Sequence, residues 1–152
     1  MLLDINFTQY QNALKIRKTG TKMEIFDPVR RKYLFLQPEE LVRQLVLQYL
    51  ITDRQYPLSK LRSEMGLQVN TLQKRCDILV YDMAFSPFLM VECKSAKVPI
   101  NQDVFDQIAR YNRTFKVPYL LVTNGLATYC CKIDFDREGY EFLSDIPKWI
   151  NT

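Results

Sequence analysis

Between positions 14 and 36 the apolar residues come in short β-prone runs, "MEIF" and "KYLFL", with the turn signal "KTGTK" ahead of them. Strands are expected there. The spacing changes in "QPEELVRQLVLQYLITD", where Leu41, Val42, Leu45, Val46, Tyr49 and Leu50 form one apolar stripe at helical period. Pro38 suits a first helical turn, and Glu39 and Glu40 suit the positive end of a helix. "PLSKLRSEM" predicts a second, shorter helix ended by Gly66, and "LQVNTLQK" a weak strand or loop. Two strongly apolar runs follow inside "RCDILVYDMAFSPFLMVECKS", joined by "AFSP", the pattern of an antiparallel hairpin. Helical period returns in "INQDVFDQIARYNRTF", with Val104, Phe105, Ile108, Ala109 and Phe115 apolar. "VPYLLVTNG" reads as a buried strand that stops at Asn124-Gly125, and "ATYCCKIDF" as another strand. "EGYEFLSDIPKWI" fits a terminal strand and one helical turn.

The helix between Ser95 and Tyr119 is long enough for a crossover, so the pattern predicts an α/β fold with a central mixed β-sheet flanked by helices. A chain of 152 residues suits a single domain, with a core over about 38–133 and the strands of 14–36 packed on it. No apolar run approaches the roughly 20 residues that cross a bilayer. "MLLDINFTQYQ" lacks the basic and apolar regions of a signal peptide, and a cytoplasmic protein is expected. Cys76, Cys93, Cys130 and Cys131 form no CxxC pair and read as reduced core thiols. Histidine is absent, which argues against zinc and removes the commonest general base. Catalysis would fall to carboxylates, Lys, Tyr or a hard cation. The net charge of +4 permits a polyanionic partner without requiring one.

The hairpin carries charge where plain strands need none: Asp77 at the entrance of the first, Glu92 and Lys94 at the end of the second. With Met83 opposite Phe88, Asp77 falls opposite Lys94 and Leu79 opposite Glu92. Alternation then points Asp77, Glu92 and Lys94 to one face. Cross-strand neighbours lie within about 4.5–8 Å, so two carboxylates and an ammonium converge at the open end. A divalent cation relieves the repulsion between the acids, and Mg²⁺ (or Mn²⁺) prefers oxygen ligands, to which the Cys93 carbonyl could add one. Lys94 beside it could orient or help deprotonate a water, or stabilise charge growing on a phosphate. Taken by spacing alone, a Glu-x-Lys pair is more often a solvated face. Against that stand the flanking Ile78, Leu79, Val80, Leu89, Met90 and Val91, which suit strands buried on both faces, where stray charge is costly.

These residues resemble the signature of the PD-(D/E)xK nuclease superfamily. More narrowly, the stretch from "QPEELVRQ" to "YLLVTNG" resembles the N-terminal nuclease domain of the type I restriction enzyme R subunit, stand-alone versions included. The resemblance implies a restriction-endonuclease-like core and Mg²⁺-dependent hydrolysis of DNA phosphodiesters. It assigns metal-binding roles to Asp77 and Glu92 and a catalytic role to Lys94. Cys76 stands where the motif's Pro would be. "QIARY" resembles the subfamily's Q-x-x-x-Y motif, which implies that Gln107 and Tyr111, sharing one helix face at i, i+4, organise the site and position DNA. It also implies an acid from the first helix. Glu39, at the border of the apolar stripe, is preferred to Glu40, and Glu64 is a further candidate.

Arg110 and Arg113 are on the same helix as Gln107 and could neutralise phosphates. Arg75, Lys97, Lys60 and Arg62 are expected near the same edge. No GxxxxGK[ST] phosphate loop occurs, so these residues encode no ATP-driven motor. Expected partners are DNA, no membrane, and either a second copy of the chain or a protein of a restriction system. The competing reading is a catalytically silent DNA- or protein-binding module of the same fold. A third has the acids as mere surface charge, and Asp77 and Glu92 on opposite sheet faces would bring it to the front.

Overall fold

The computed structural model describes residues 2–63, 66–69, 72–75 and 77–149, with the backbone alone described in 66–69 and 72–75 and at 111, 113 and 114. After a 3-10 turn at Phe7–Ala13, the chain forms a three-stranded antiparallel meander, β1 (Ile16–Thr19), β2 (Lys22–Asp27) and β3 (Lys32–Phe35). Helix α1 (Pro38–Thr52) starts with Pro38, Glu39 and Glu40 in its first turn, where negative charge suits the helix dipole.

The region expected as a second helix is different. Leu58–Lys60 makes one 3-10 turn, and Leu61–Ser63 is a strand, β4, at the edge of the main sheet. Leu58 and Leu61 have helical spacing, but the pairing of Leu61 with Val80 and Ser63 with Ile78 wins over local preference. Gly66 opens strand β5 (Gly66–Val69) instead of closing a helix, and β5 pairs with β6 (Leu72–Arg75). Glu64 lies outside the described residues, as does Cys76.

The main sheet is completed by β7 (Ile78–Tyr81), β8 (Pro87–Cys93), β9 (Tyr119–Thr123), β10 (Thr128–Asp134) and β11 (Gly139–Phe142), in the order β11-β10-β9-β8-β7-β4. Among the described residues only β8 and β9 run parallel, and α2 (Gln102–Phe115) makes the crossover between them, so the sheet is mixed as predicted. The Asn101 side chain caps α2, accepting from the Val104 N–H at 2.9 Å. Period-two alternation divides the core. Ile78, Val80, Leu89, Val91 and Leu121 pack with α1, while Leu79, Met90, Leu120 and Val122 pack on the side of Phe105, Ile108 and Ala109 of α2. The central strands are thus buried on both faces.

Cys93, Cys130 and Cys131 are buried free thiols, and burial pushes Cys130 and Cys131 up to about 12, which keeps them neutral and inert. Among the described residues no helix is long and apolar enough to cross a membrane.

Candidate functional site

The site lies where β8 and β9 end and β7 begins. Hairpin β7–β8 pairs Ile78 with Val91 and Leu79 with Met90. This differs by two residues from the register expected from "AFSP", because the turn is longer and the pairing shifts between Val80 and Tyr81. Asp82 sets that turn by accepting from the Ser86 N–H at 2.9 Å, and Phe85 takes a positive φ of 59°. A two-residue slip keeps every side chain on its face but exchanges partners. Continued one step, the observed register brings Asp77 beside Glu92 instead of Lys94.

Asp77 precedes β7 and its carboxylate accepts from the Cys93 N–H at 2.7 Å, which ties the entrance of one strand to the end of the next. The Glu92 carboxyl lies close enough to act on it. Burial raises the Asp77 pKa above the ordinary value and the nearby Glu39 adds to that, while the Cys93 amide, Arg43 and Glu92 hold it down. Glu92 is 5 % exposed. Two carboxyls in contact in a buried setting match the donor set of a hard cation, whose charge would relieve both burial and mutual repulsion. Among the described residues no three of His, Cys, Asp and Glu converge as a ready-made metal cluster.

Lys94 is half-buried, and its backbone extends the pairing with β9, its N–H donating to the Thr123 carbonyl at 2.9 Å. The turn after β9 holds this segment from the other side. Asn124 donates through Nδ2 to the Val98 carbonyl at 2.9 Å, and its Oδ1 accepts from the Leu126 and Ala127 amides. Thr123 and Thr128 share a buried hydroxyl bond of 2.8 Å, and Thr123 Oγ1 also accepts from the Gly125 N–H. Gly125 has φ +89°, and a Cβ there would lie 3.5 Å from Val42 of α1. Thr123 and Asn124 thus hold this turn together, whereas in the sequence Asn124 signals only the end of a strand.

The first turns of α1 border the same end. Glu39 is exposed, and its charge reaches Asp77. Glu40 is tied up: its Oε1 accepts from Arg43 Nη2 at 2.7 Å and its Oε2 from Gln44 Nε2 at 3.0 Å. Arg43 is 2 % exposed, and its Nη1 donates to Asp27 Oδ2 at 2.9 Å. Burial disfavours the guanidinium charge, but Glu40 and Asp27 more than offset that and raise its pKa. The sequence reading missed this cluster. Its signal was a charge, Arg43, set between Val42 and Leu45 on the helix.

Of the other candidates, Gln107 and Arg110 lie on the exposed side of α2, opposite its buried Phe105, Ile108 and Ala109. The Tyr111 and Arg113 side chains lie outside what is described, as does that of Arg75. Lys97 is exposed in the loop after Lys94. Lys60 and Arg62 do not stand at this edge, contrary to expectation. Lys60 sits 3.3 Å over the Phe85 ring at the opposite, turn end of the hairpin, and Arg62 bonds the carbonyls of Ser59 and Leu61. Both follow from β4 replacing the expected helix.

Comparison with known proteins adds the family. No curated protein matches the chain significantly. Among solved structures, a fragment assigned to an HsdR subunit of a type I restriction enzyme from Vibrio vulnificus YJ016 is 21 % identical, with a TM-score of 0.39, over 58 % of this chain and 19 % of that one. The family model for the type I restriction enzyme R protein N terminus (HSDR_N) matches residues 38–147, from the first residue of α1 to beyond β11. With that span holding Asp77, Glu92, Lys94 and the turn that secures them, the chain belongs to the type I restriction enzyme R protein N-terminus family.

Proposed function

We propose that this protein is a metal-dependent nuclease module that hydrolyses DNA phosphodiester bonds. The observation that carries the reading is the contact between the Asp77 and Glu92 carboxyls, one residue pair away from Lys94, at the end of the parallel β8–β9 pair. Family membership supports it. Asp77 and Glu92 would hold Mg²⁺ or Mn²⁺, with the Cys93 carbonyl and Glu39 as further oxygen donors. When bound, the ion would supply Lewis-acid polarisation of the phosphate and a more acidic water. Asp77 is held in place by the Cys93 amide and by burial, so its carboxylate is already oriented. Lys94, fixed through its backbone to Thr123, would place its ammonium where charge grows on the phosphate, or orient the attacking water. The test is cleavage of plasmid and oligonucleotide DNA with Mg²⁺ or Mn²⁺. Wild type should cut and Lys94→Ala should lose at least about a hundredfold in rate. Cutting that persists at full rate in Lys94→Ala overturns the mechanism.

A second reading, a silent binding module, draws on one observation: Glu40 is engaged by Arg43 and Gln44, and only exposed Glu39 is left as a helix acid near Asp77. It predicts binding without cutting in either metal.

A further inference from the structure

The β1–β3 meander lies before the part of the chain that the family model matches. Its segment, residues 15–35, carries Lys15, Arg17, Lys18, Lys22, Arg30, Arg31 and Lys32 against Glu24 and Asp27. That is a net of +5 where the whole chain carries +4, so all other residues together sum to −1. The excess positive charge of this protein sits on one small sheet.

The register sorts these residues into two faces. Ile16, Ile25 and Leu34 form one cross-strand row, and Ile25 and Asp27 are fully buried, so that face turns toward the body. The other face holds Lys15, Arg17 and Thr19 of the first strand and its approach, Lys22, Glu24 and Phe26 of the second, and Tyr33 and Phe35 of the third. Here basic and aromatic side chains alternate. The Arg17 guanidinium lies 3.7 Å over the Tyr33 ring, Lys15 lies 5.4 Å from the Phe26 ring centre, and Phe26 and Tyr33 meet edge to face at 5.3 Å. Phe35 is 55 % exposed beside them. Glu24 is the one acid on this face. It accepts from Arg17 Nε at 3.0 Å and from Thr19, which fixes the guanidinium plane over Tyr33.

An exposed phenyl ring and a flat guanidinium have π-faces that stack on bases of any sequence, and lysines at the margin track phosphates. A duplex hides its base faces, so such a platform suits an unpaired strand. We propose that the outward face of β1–β3 binds single-stranded nucleic acid. Bases stack on Phe35 and on the Arg17–Tyr33 pair, with Lys15 and Lys22 at the phosphates. The turn cation Arg31 extends the path, and Asp27 directs it. Asp27 Oδ1 accepts from the Val29 and Arg30 amides to shape that turn, while its Oδ2 holds Arg43 of α1, whose charge is felt at Asp77. The platform is thereby latched to the helix that borders the candidate site. This deepens the nuclease reading by naming the form of its substrate, but binding here does not depend on cutting.

The test is fluorescence anisotropy of labelled oligothymidylate with the full chain in EDTA, so that no cleavage occurs. Phe35→Ala should weaken binding about tenfold, and Lys22→Gln should lower the salt dependence by about 0.7 in log–log slope. Both residues are exposed, and an unchanged melting temperature confirms the fold. Duplex of the same length should bind more weakly and be insensitive to Phe35→Ala. Oligothymidylate binding that is unchanged in Phe35→Ala, a preference for duplex, or equal binding of polyglutamate overturns the proposal. If wild type binds the oligonucleotide in this way but never cuts DNA with Mg²⁺ or Mn²⁺, the nuclease reading fails and this one stands.

Discussion

Two clusters of buried charge lie at the same end of the molecule, and they are balanced in opposite ways. Around Arg43, one cation meets Asp27 and Glu40, and Gln44 supplies a further donor. Around Asp77, two carboxyls face each other, with one backbone amide and the more distant Arg43 to offset them. The first arrangement is what a fold needs when it buries charge, since the ions satisfy one another. The second costs stability in the direction of the raised Asp77 pKa, and on the proposed reading a bound cation would relieve that cost. The contrast is between a cluster whose charges satisfy one another and one whose acids do not, although both draw on adjacent elements.

Breaking the balanced cluster should have the largest effect. Arg43→Ala leaves Asp27 and Glu40 without their cation and should cost about 3–5 kcal/mol in urea unfolding. A loss below about 1 kcal/mol would erase the contrast. For the unbalanced cluster, Mg²⁺ at about ten times its dissociation constant should add about 1.4 kcal/mol to wild-type stability, an effect that Glu92→Gln removes.

A smaller gain should come from Asp77→Asn without metal. An acid whose pKa is raised in the folded state binds its proton more tightly there than in the unfolded chain. Its neutral form contributes stability that is fully present below the ordinary carboxylate range and lost as pH rises through the raised value. The variant should therefore match wild type in acid and melt about 2–4 °C higher at neutral pH, while showing no response to Mg²⁺. A variant that melts lower at neutral pH would show that the Asp77 carboxylate is a net stabiliser. The smallest change is expected at Lys60→Ala, far from both clusters, which should leave melting within about 1–2 °C and cleavage intact.

Much of this was legible in the residues. The two helices, the hairpin and the crossover follow from periodicity, because α1 and α2 bury one stripe each and β7–β9 are apolar on both faces. Asp77 and Glu92 were expected on one side of the hairpin, and alternation keeps them together even though the turn shifts the register by two. The pairing itself was not legible, since it depends on Asp82 folding a longer turn and on Phe85 taking a positive φ. "PLSKLRSEM" misled because a three-residue edge strand is too short to show alternation, and its strand character comes from β7. Arg43 passed unnoticed for the same kind of reason. Its partner Asp27 lies 16 residues earlier, in a different sheet, and nothing in local spacing announces an ion pair across that distance.

The parallel pairing of β8 with β9 has a consequence for biosynthesis. Asp77, Glu92 and Lys94 are all synthesised before Ser95, but the strand that secures Lys94 is made only after α2, at residues 119–123. A nascent chain paused between those points carries every ionisable group of the site with nothing to hold the lysine in place. Translation order therefore leaves this end of the sheet incomplete until the crossover has closed.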